Sequence, residues 1–424
     1  MEIALILSFV VMALIGVPVA YALALSVSFV LAVYMDLPQV LITNNLFSGI
    51  DSFSFMAVPF FMLAGAFMSA GGVTSRLVSV AQAMVGSFTG GLAQAVAVAG
   101  MFFAAISGSS AATTAAIGST MVNEMEQKGY KREMATGIVA AAGTVGIVIP
   151  PSITFVVYGV IANVSIGDLF MAGVFPGLIM GGVMCAMGWY LAKKGKIPPD
   201  GSFSCKRLAL TIKDAFWALL TPVIIIGGIY SGMFTPTEAA AVAAVYGIVV
   251  GLFIYRELKL RDFPQIIFKA VIGTTLIMFL VGAAKVFGWL MTNLQIPHMV
   301  GEAVTHVTSS AIVFLLIMNV LLLVLGTLVN ASAAVVILTP IFLPVATHMG
   351  IDPIHFGVIM VVNLAIGCIT PPVGLDLFVA SAITKVPLEN VMKATMPYLM
   401  ALIVALLTIT MVPAISTTLP NLLR

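Results

Sequence analysis

Gly143-Thr144-Val145-Gly146-Ile147-Val148-Ile149-Pro150-Pro151 lies in the middle of an apolar stretch, residues 134–163. About 20 apolar residues suffice to cross the roughly 30 Å of hydrocarbon in a bilayer. A Pro-Pro pair removes two backbone donors and pushes the preceding residue out of the helical region. The stretch therefore reads as two half-helices joined by unwound backbone, the second starting at the prolines. Gly367-Cys368-Ile369-Thr370-Pro371-Pro372, inside the apolar stretch 355–384, reads the same way. The two pairs stand 371 − 150 = 221 positions apart, and the same offset pairs Gly129 with Gly350, Gly146 with Gly367, Met171 with Met392 and Pro176 with Pro397. A third pair, Pro198-Pro199, falls in a basic loop.

Two further apolar stretches, about 91–122 and 311–345, are interrupted by small polar residues. Ser107-Gly108-Ser109-Ser110 breaks the first; Gly326-Thr327 with Asn330-Ala331-Ser332 breaks the second. Lipid-exposed backbone cannot break at that depth, but backbone buried in protein or lining a cavity can. Each stretch is expected to be a re-entrant hairpin, and the offset of 371 − 150 = 221 lays Ser109-Ser110 on Asn330-Ala331. Uninterrupted or Pro-broken spans are expected near 4–34, 53–70, 134–163, 169–192, 214–231, 236–255, 266–290, 355–384 and 391–417. The first is too long, and Met1-Glu2 too poor in positive charge, for a cleaved signal peptide.

Composition agrees. Of 424 residues 61% are hydrophobic and 8% charged, whereas soluble chains carry about 25% charge. A net charge of +2 supplies no basic field for nucleic acid. Cys185, Cys205 and Cys368 form no disulfide framework, and His298, His306, His348 and His355 show no zinc-binding spacing. With no Ser-His-Asp set, P-loop or clustered carboxylate pair, the sequence points away from an enzyme.

Lys and Arg in short loops mark the cytoplasmic side. They crowd into the loops around Lys128-Lys131-Arg132, 193–213 and 256–269, and are absent from 35–52, 164–168, 232–237 and 291–309. Nine crossings and two hairpins, threaded from a cytoplasmic N-terminus, satisfy all of these loops. The expected architecture is an all-α integral membrane protein of inverted repeats, 1–212 and 236–424, joined by a connecting span, 213–235. Each repeat carries one hairpin and one broken transmembrane helix, as in a secondary transporter.

Unwound carbonyls and a tip of Ser, Thr and Asn make a small cluster of neutral oxygens, suited to a hard monovalent cation such as Na⁺. The first expected site uses Ser107, Ser109, Ser110, Gly143, Gly146, Val148 and Pro150; the second uses Gly326, Asn330, Ser332, Gly367 and Thr370. Any one of these hydroxyls could instead be helix glue, bonded to a carbonyl one turn back. Half-helix N-termini after the Pro-Pro pairs favour an anionic group, which makes Pro151, Ser152, Pro372 and Asp376 candidates for substrate binding. Asp376 is a rare intramembrane carboxylate whose repeat partner is Phe155, so it breaks the symmetry and keeps H⁺ coupling open as a rival. Glu238 in Thr235-Pro236-Thr237-Glu238 reads as part of a helix cap, and Lys285 as a side chain that snorkels to the interface.

The run Gly232-Met233-Phe234-Thr235-Pro236-Thr237-Glu238-Ala239-Ala240 is similar to the large membrane subunit (DctM type) of tripartite ATP-independent periplasmic (TRAP) transporters. So are Leu325-Gly326 to Pro340-Ile341, Asp352-Pro353 with His355-Phe356-Gly357, and Gly367 to Phe378. The resemblance covers essentially the whole chain. It implies a Na⁺-driven importer of acidic solutes in the bacterial inner membrane, with substrate delivered by a periplasmic binding protein. It also implies a smaller four-helix membrane subunit as partner, and an elevator motion of both hairpins and both broken helices against a scaffold. Its ion sites fall on Ser107–Ser110 with Gly143–Pro150 and on Gly326–Ser332 with Gly367–Thr370. Asp376 and Cys368 stand where many members carry Asn and Leu, a departure that bears on the carried acid. The general likeness favours the sialic acid branch, with C4-dicarboxylate transport as the alternative and a hairpin-lined ion channel as a reading of another class.

Overall fold

The computed structural model describes residues 1–35, 37–197, 199 and 203–423. Among these the chain is helical with no strand. Pro198, and so the third Pro-Pro pair, lies outside the described residues. Seven helices are long and apolar enough to cross a membrane: Phe53–Ala70, Ile166–Lys194, Pro236–Ile254, Leu260–Asn293, Ala311–Leu328, Ala331–His348 and Leu388–Met411. Cys205–Asp214 and Phe216–Tyr230, bent by 64°, make an eighth candidate.

Local chemistry sets these boundaries. Ser165 starts Ile166–Lys194 by accepting from the Asp168 amide at 3.1 Å, and Lys193 and Lys194 close its last turn. Thr235 and Glu238 form a reciprocal capping box at the head of Pro236–Val249, so Glu238 has the structural role its spacing implies. The expected broken stretches are broken. Arg132–Gly143 gives way to the 3₁₀ turn Thr144–Ile147, and the helix resumes as Ile153–Ala162. Pro353–Gly367 stops before Pro371-Pro372 and resumes as Leu375–Thr384. Both Pro-Pro bonds are cis. The hairpin stretches are likewise split, into Gly91–Ser107 with Ser110–Gln127 and Ala311–Leu328 with Ala331–His348.

The two arms after the tips correspond end to end, since 331 − 110 and 348 − 127 both equal 221. Their packing is reciprocal as well. Ala331–His348 lies on Ile153–Ala162, and Ser110–Gln127 lies on Leu375–Thr384. Thus the helix after each tip packs against the helix that resumes after the other Pro-Pro pair. Pro353–Gly367 is buried along nearly all of its length, as expected of a helix that is apolar on every side. Polar contacts also cross between halves: the Tyr158 hydroxyl donates to the Pro353 carbonyl at 2.6 Å.

Several expectations need correction. The stretch 4–34 is two helices, Glu2–Leu14 and Val19–Val30, packed on each other. Gly16 at φ +88° and Pro18 stop the first helix, so the stretch is not one continuous helix. Residues 391–417 divide at Pro413 into Leu388–Met411 and Ala414–Leu423. Segments read as loops contain helices, Val40–Ile50, Ile296–Val307 and the amphipathic Cys205–Asp214. Val73–Val85, too polar to read as a span, is helical and held by Arg76. That guanidinium donates to Glu257 at 2.6 Å, pairs with Asp214 at 3.4 Å and covers the Tyr255 ring at 3.8 Å.

Candidate functional site

The first tip folds tightly on its own break. Gly108 turns the chain at φ +60°, a left-handed conformation that costs glycine least. The Ser107 and Thr113 hydroxyls are 3.0 Å apart, and Thr113 donates to the Ser109 carbonyl at 2.8 Å. Ser109 caps the following helix through the Ala112 amide. A Cβ on Gly146 would stand 2.7 Å from the Ser109 carbonyl oxygen, and one on Gly108 would stand 2.8 Å from the Pro151 carbonyl oxygen. Tip and break therefore touch through backbone.

In a continuous helix the Pro150 and Pro151 positions would donate to the Gly146 and Ile147 carbonyls; proline cannot. The Ser152 hydroxyl takes over the Ile147 oxygen at 2.6 Å while accepting from the Phe155 amide at 3.2 Å. Gly146 thus offers a carbonyl freed of its helical partner beside the tip oxygens. Ser107, Ser110, Gly143, Gly146, Val148 and Pro150 are buried, and Ser109 is half-buried.

The second tip is more open. Asn330 is exposed and caps its helix by accepting from the Ser332 amide at 2.9 Å. Gly326 and Gly367 pass so closely that a Cβ on Gly367 would lie 2.6 Å from the Gly326 Cα. The Gly374 amide donates to the Thr327 carbonyl at 3.2 Å, and the Asp376 amide to the Cys368 carbonyl at 2.9 Å. Thr370 is half-buried, with its hydroxyl donating back to Ile366 at 2.9 Å, the helix-glue arrangement. Ser332 is buried and its hydroxyl lies 3.5 Å from that of Thr154, on the other half.

The four substrate candidates are not gathered into one place. Pro151 and Ser152 are buried in the first break, Pro372 is exposed at the second, and Asp376 is fully buried. None of them lines the cavity of about 620 Å³ between Leu260–Asn293, the end of Ile153–Ala162 and the second hairpin. Its walls carry Ser48, Ser52, Asn163, Lys285, Thr292 and Asn293, beside Val336 and Pro340 of the hairpin. Lys285 thus lines a cavity, which its sequence surroundings did not reveal. A second feature missed in sequence is a buried amide chain. Asn363 donates to Asn319 at 2.8 Å, and Asn319 to the Thr410 hydroxyl at 3.0 Å, joining three helices. Partners 91 positions apart leave no local signal.

Among solved structures, the Alcanivorax borkumensis YdaH transporter shares this fold, at a TM-score of 0.60 and 16% identity, covering 86% of each chain. Together with the apolar helices this defines a polytopic membrane protein with the fold of a transporter. The sequence narrows that class: residues 6–415 match the family described as the tripartite ATP-independent periplasmic transporter, DctM component. The chain belongs to this family of TRAP transporter large permeases, transport subunits and not enzymes. It is 47% identical to the C4-dicarboxylate TRAP transporter large permease protein DctM of Pseudomonas aeruginosa, over 89% of this chain and 88% of that one. It is 36% identical to the sialic acid TRAP transporter large permease protein SiaM of Vibrio cholerae, over 96% and 95%.

Proposed function

We propose that this permease is the large membrane subunit of a Na⁺-coupled symporter that imports an acidic organic solute across the bacterial inner membrane. The solute would arrive on a periplasmic binding protein, and a small four-helix membrane subunit would complete the complex. The observation that carries the coupling is the pair of tip-and-break constellations. In each, a small-residue tip lies against a Pro-Pro break. In the first, the prolines leave the Gly146 carbonyl without its helical donor. In the second, the Gly367 and Cys368 carbonyls accept from the Thr370 and Asp376 amides, and the tip adds the Asn330 and Ser332 side-chain oxygens. One Na⁺ would sit among Ser107, Ser109, Ser110, Gly143, Gly146, Val148 and Pro150, the other among Gly326, Asn330, Ser332, Gly367 and Thr370.

The reciprocal packing of hairpins and broken helices supports two inverted repeats, 1–212 and 236–424, around the connecting span 213–235. Hairpins and broken helices would move together, elevator-fashion, against the remaining helices. The basic loops 193–213 and 256–269 would then face the cytoplasm. The cavity at Lys285 would receive the solute, its ammonium drawing in a carboxylate, with the dipoles after Pro151 and Pro372 and the residues Ser152 and Asp376 further along the path. A C4-dicarboxylate has as much support as sialic acid, so the cargo class is an organic acid of either type.

The test is uptake of labelled succinate and of labelled sialic acid into proteoliposomes holding this chain and its small subunit. Binding protein is supplied outside, with and without an inward Na⁺ gradient. The proposal expects uptake of one acid that needs both gradient and binding protein. Flux that persists without either would mark a channel.

A further inference from the structure

The Asp376 carboxylate is fully buried and forms no ion pair among the described residues. Neither oxygen has a hydrogen bond of normal geometry, the Ser110 side chain making only a weak contact. It sits in the first turn of Leu375–Thr384 but faces the other half of the molecule. A Cβ placed on Gly143 would lie 3.2 Å from Asp376 Oδ2, 3.1 Å from the Ser110 carbonyl oxygen, and would overlap the Thr114 hydroxyl. Three oxygens from two helices, Ser110–Gln127 and Leu375–Thr384, therefore converge beside Gly143 of a third, on a space kept open by one missing methyl. The Thr114 hydroxyl is itself fully buried and without a partner. The Ser110 and Cys368 side chains border the carboxylate.

Energetics decide what such a cradle wants. An uncompensated charge in a protein interior is strongly unfavourable. The helix N-terminus at Asp376 offsets only part of that cost. Asp376 forms no ion pair with any described Lys, Arg or His. One negative charge among neutral hydroxyl and carbonyl oxygens balances one positive charge. No described group of three His, Cys, Asp or Glu is available for a divalent ion.

We propose that Asp376, Thr114 and Ser110, around Gly143, bind a Na⁺ ion of their own, additional to the two tip-and-break sites. This pocket lies one helical turn from the Gly146 cradle, and its charged ligand comes from the opposite half. Ser110 and Gly143, read above as part of the first site, belong to this pocket instead. The inference rests on the reading of tip-and-break oxygens as Na⁺ sites.

The test counts ²²Na⁺ bound at saturation by the purified complex of this chain with its small subunit, at fixed ionic strength. Variants are Asp376→Asn, which keeps shape and removes charge, Thr114→Val, Gly146→Ala and the double variant Asp376→Asn/Gly146→Ala. Thermal unfolding in the absence of Na⁺ confirms that each is folded, and Thr114→Val reports on the same pocket if Asp376→Asn is not. The expected result is one Na⁺ fewer for Asp376→Asn, a tenfold or greater loss of affinity in one class of sites for Thr114→Val, and two fewer for the double variant. Asp376→Asn binding as many ions as the unaltered chain, as a protonated carboxyl would allow, overturns the inference and leaves the two-site reading intact. A double variant losing only one ion shows that Asp376 serves the first site and overturns the separate pocket. An unaltered complex that binds no Na⁺ removes both readings.

Discussion

The two tip-and-break constellations share a spacing and a design but differ in enclosure. In the first, Ser107, Ser110, Gly146 and Pro150 are all buried, and the tip hydroxyls bond to one another. In the second, Asn330 and Pro372 are exposed and Thr370 is half-buried. Cation sites of the kind proposed would thus differ in how readily water and solute reach them. The first constellation is closed by packing and the second is open at Asn330 and Pro372.

The sharpest way to break the comparison is at its closest backbone contact. Gly367→Ala puts a methyl 2.6 Å from the Gly326 Cα, where no side chain can yield. Overpacking of this kind costs about 1–3 kcal/mol. We expect Na⁺-driven uptake by Gly367→Ala to fall more than tenfold, measured in proteoliposomes at matched protein incorporation. The equivalent first-site change, Gly146→Ala, meets the Ser109 carbonyl and should lower uptake about tenfold. If enclosure separates the sites, this loss should not be recovered at high Na⁺, whereas that of an exposed second-site variant should be.

Asn330→Ala supplies that variant. Removing this cap costs about 1 kcal/mol, so Na⁺ affinity should drop about fivefold while maximal uptake at saturating Na⁺ is kept. Thr410→Val removes one link of the buried Asn363–Asn319–Thr410 chain. Interhelical hydrogen bonds in membranes average about 0.6 kcal/mol, and a modest drop in the detergent melting temperature is expected with Na⁺ affinity unchanged. The smallest effect is Glu238→Gln, which keeps an acceptor in the capping box and should leave both uptake and melting near those of the unaltered chain.

Much of this design is written in local chemistry. Pro150-Pro151 and Pro371-Pro372 force breaks wherever they occur in an apolar span, and Thr235 with Glu238 can only cap. The misreadings have equally local causes. Gly16-Val17-Pro18 sits inside an apolar run whose hydropathy hides the stop, so two helices read as one. Val73–Val85 carries too many polar residues to register as a span, and its anchor Arg76 depends on Glu257, 181 positions away. The Asp376 cradle was invisible because its other walls, Thr114 and Gly143, come from a different half of the chain, and its repeat partner, Phe155, carries no polar group. Lys285 was legible as an isolated charge but not as the wall of a cavity, which needs Asn163 and Pro340 beside it.

The central claim is that solute movement is driven by Na⁺ held at paired sites. The most direct test is the initial rate of solute uptake by the complete complex as external Na⁺ is replaced by choline at constant osmolarity. The account predicts a sigmoidal dependence that falls to background without Na⁺. A rate that stays constant across the replacement would contradict it.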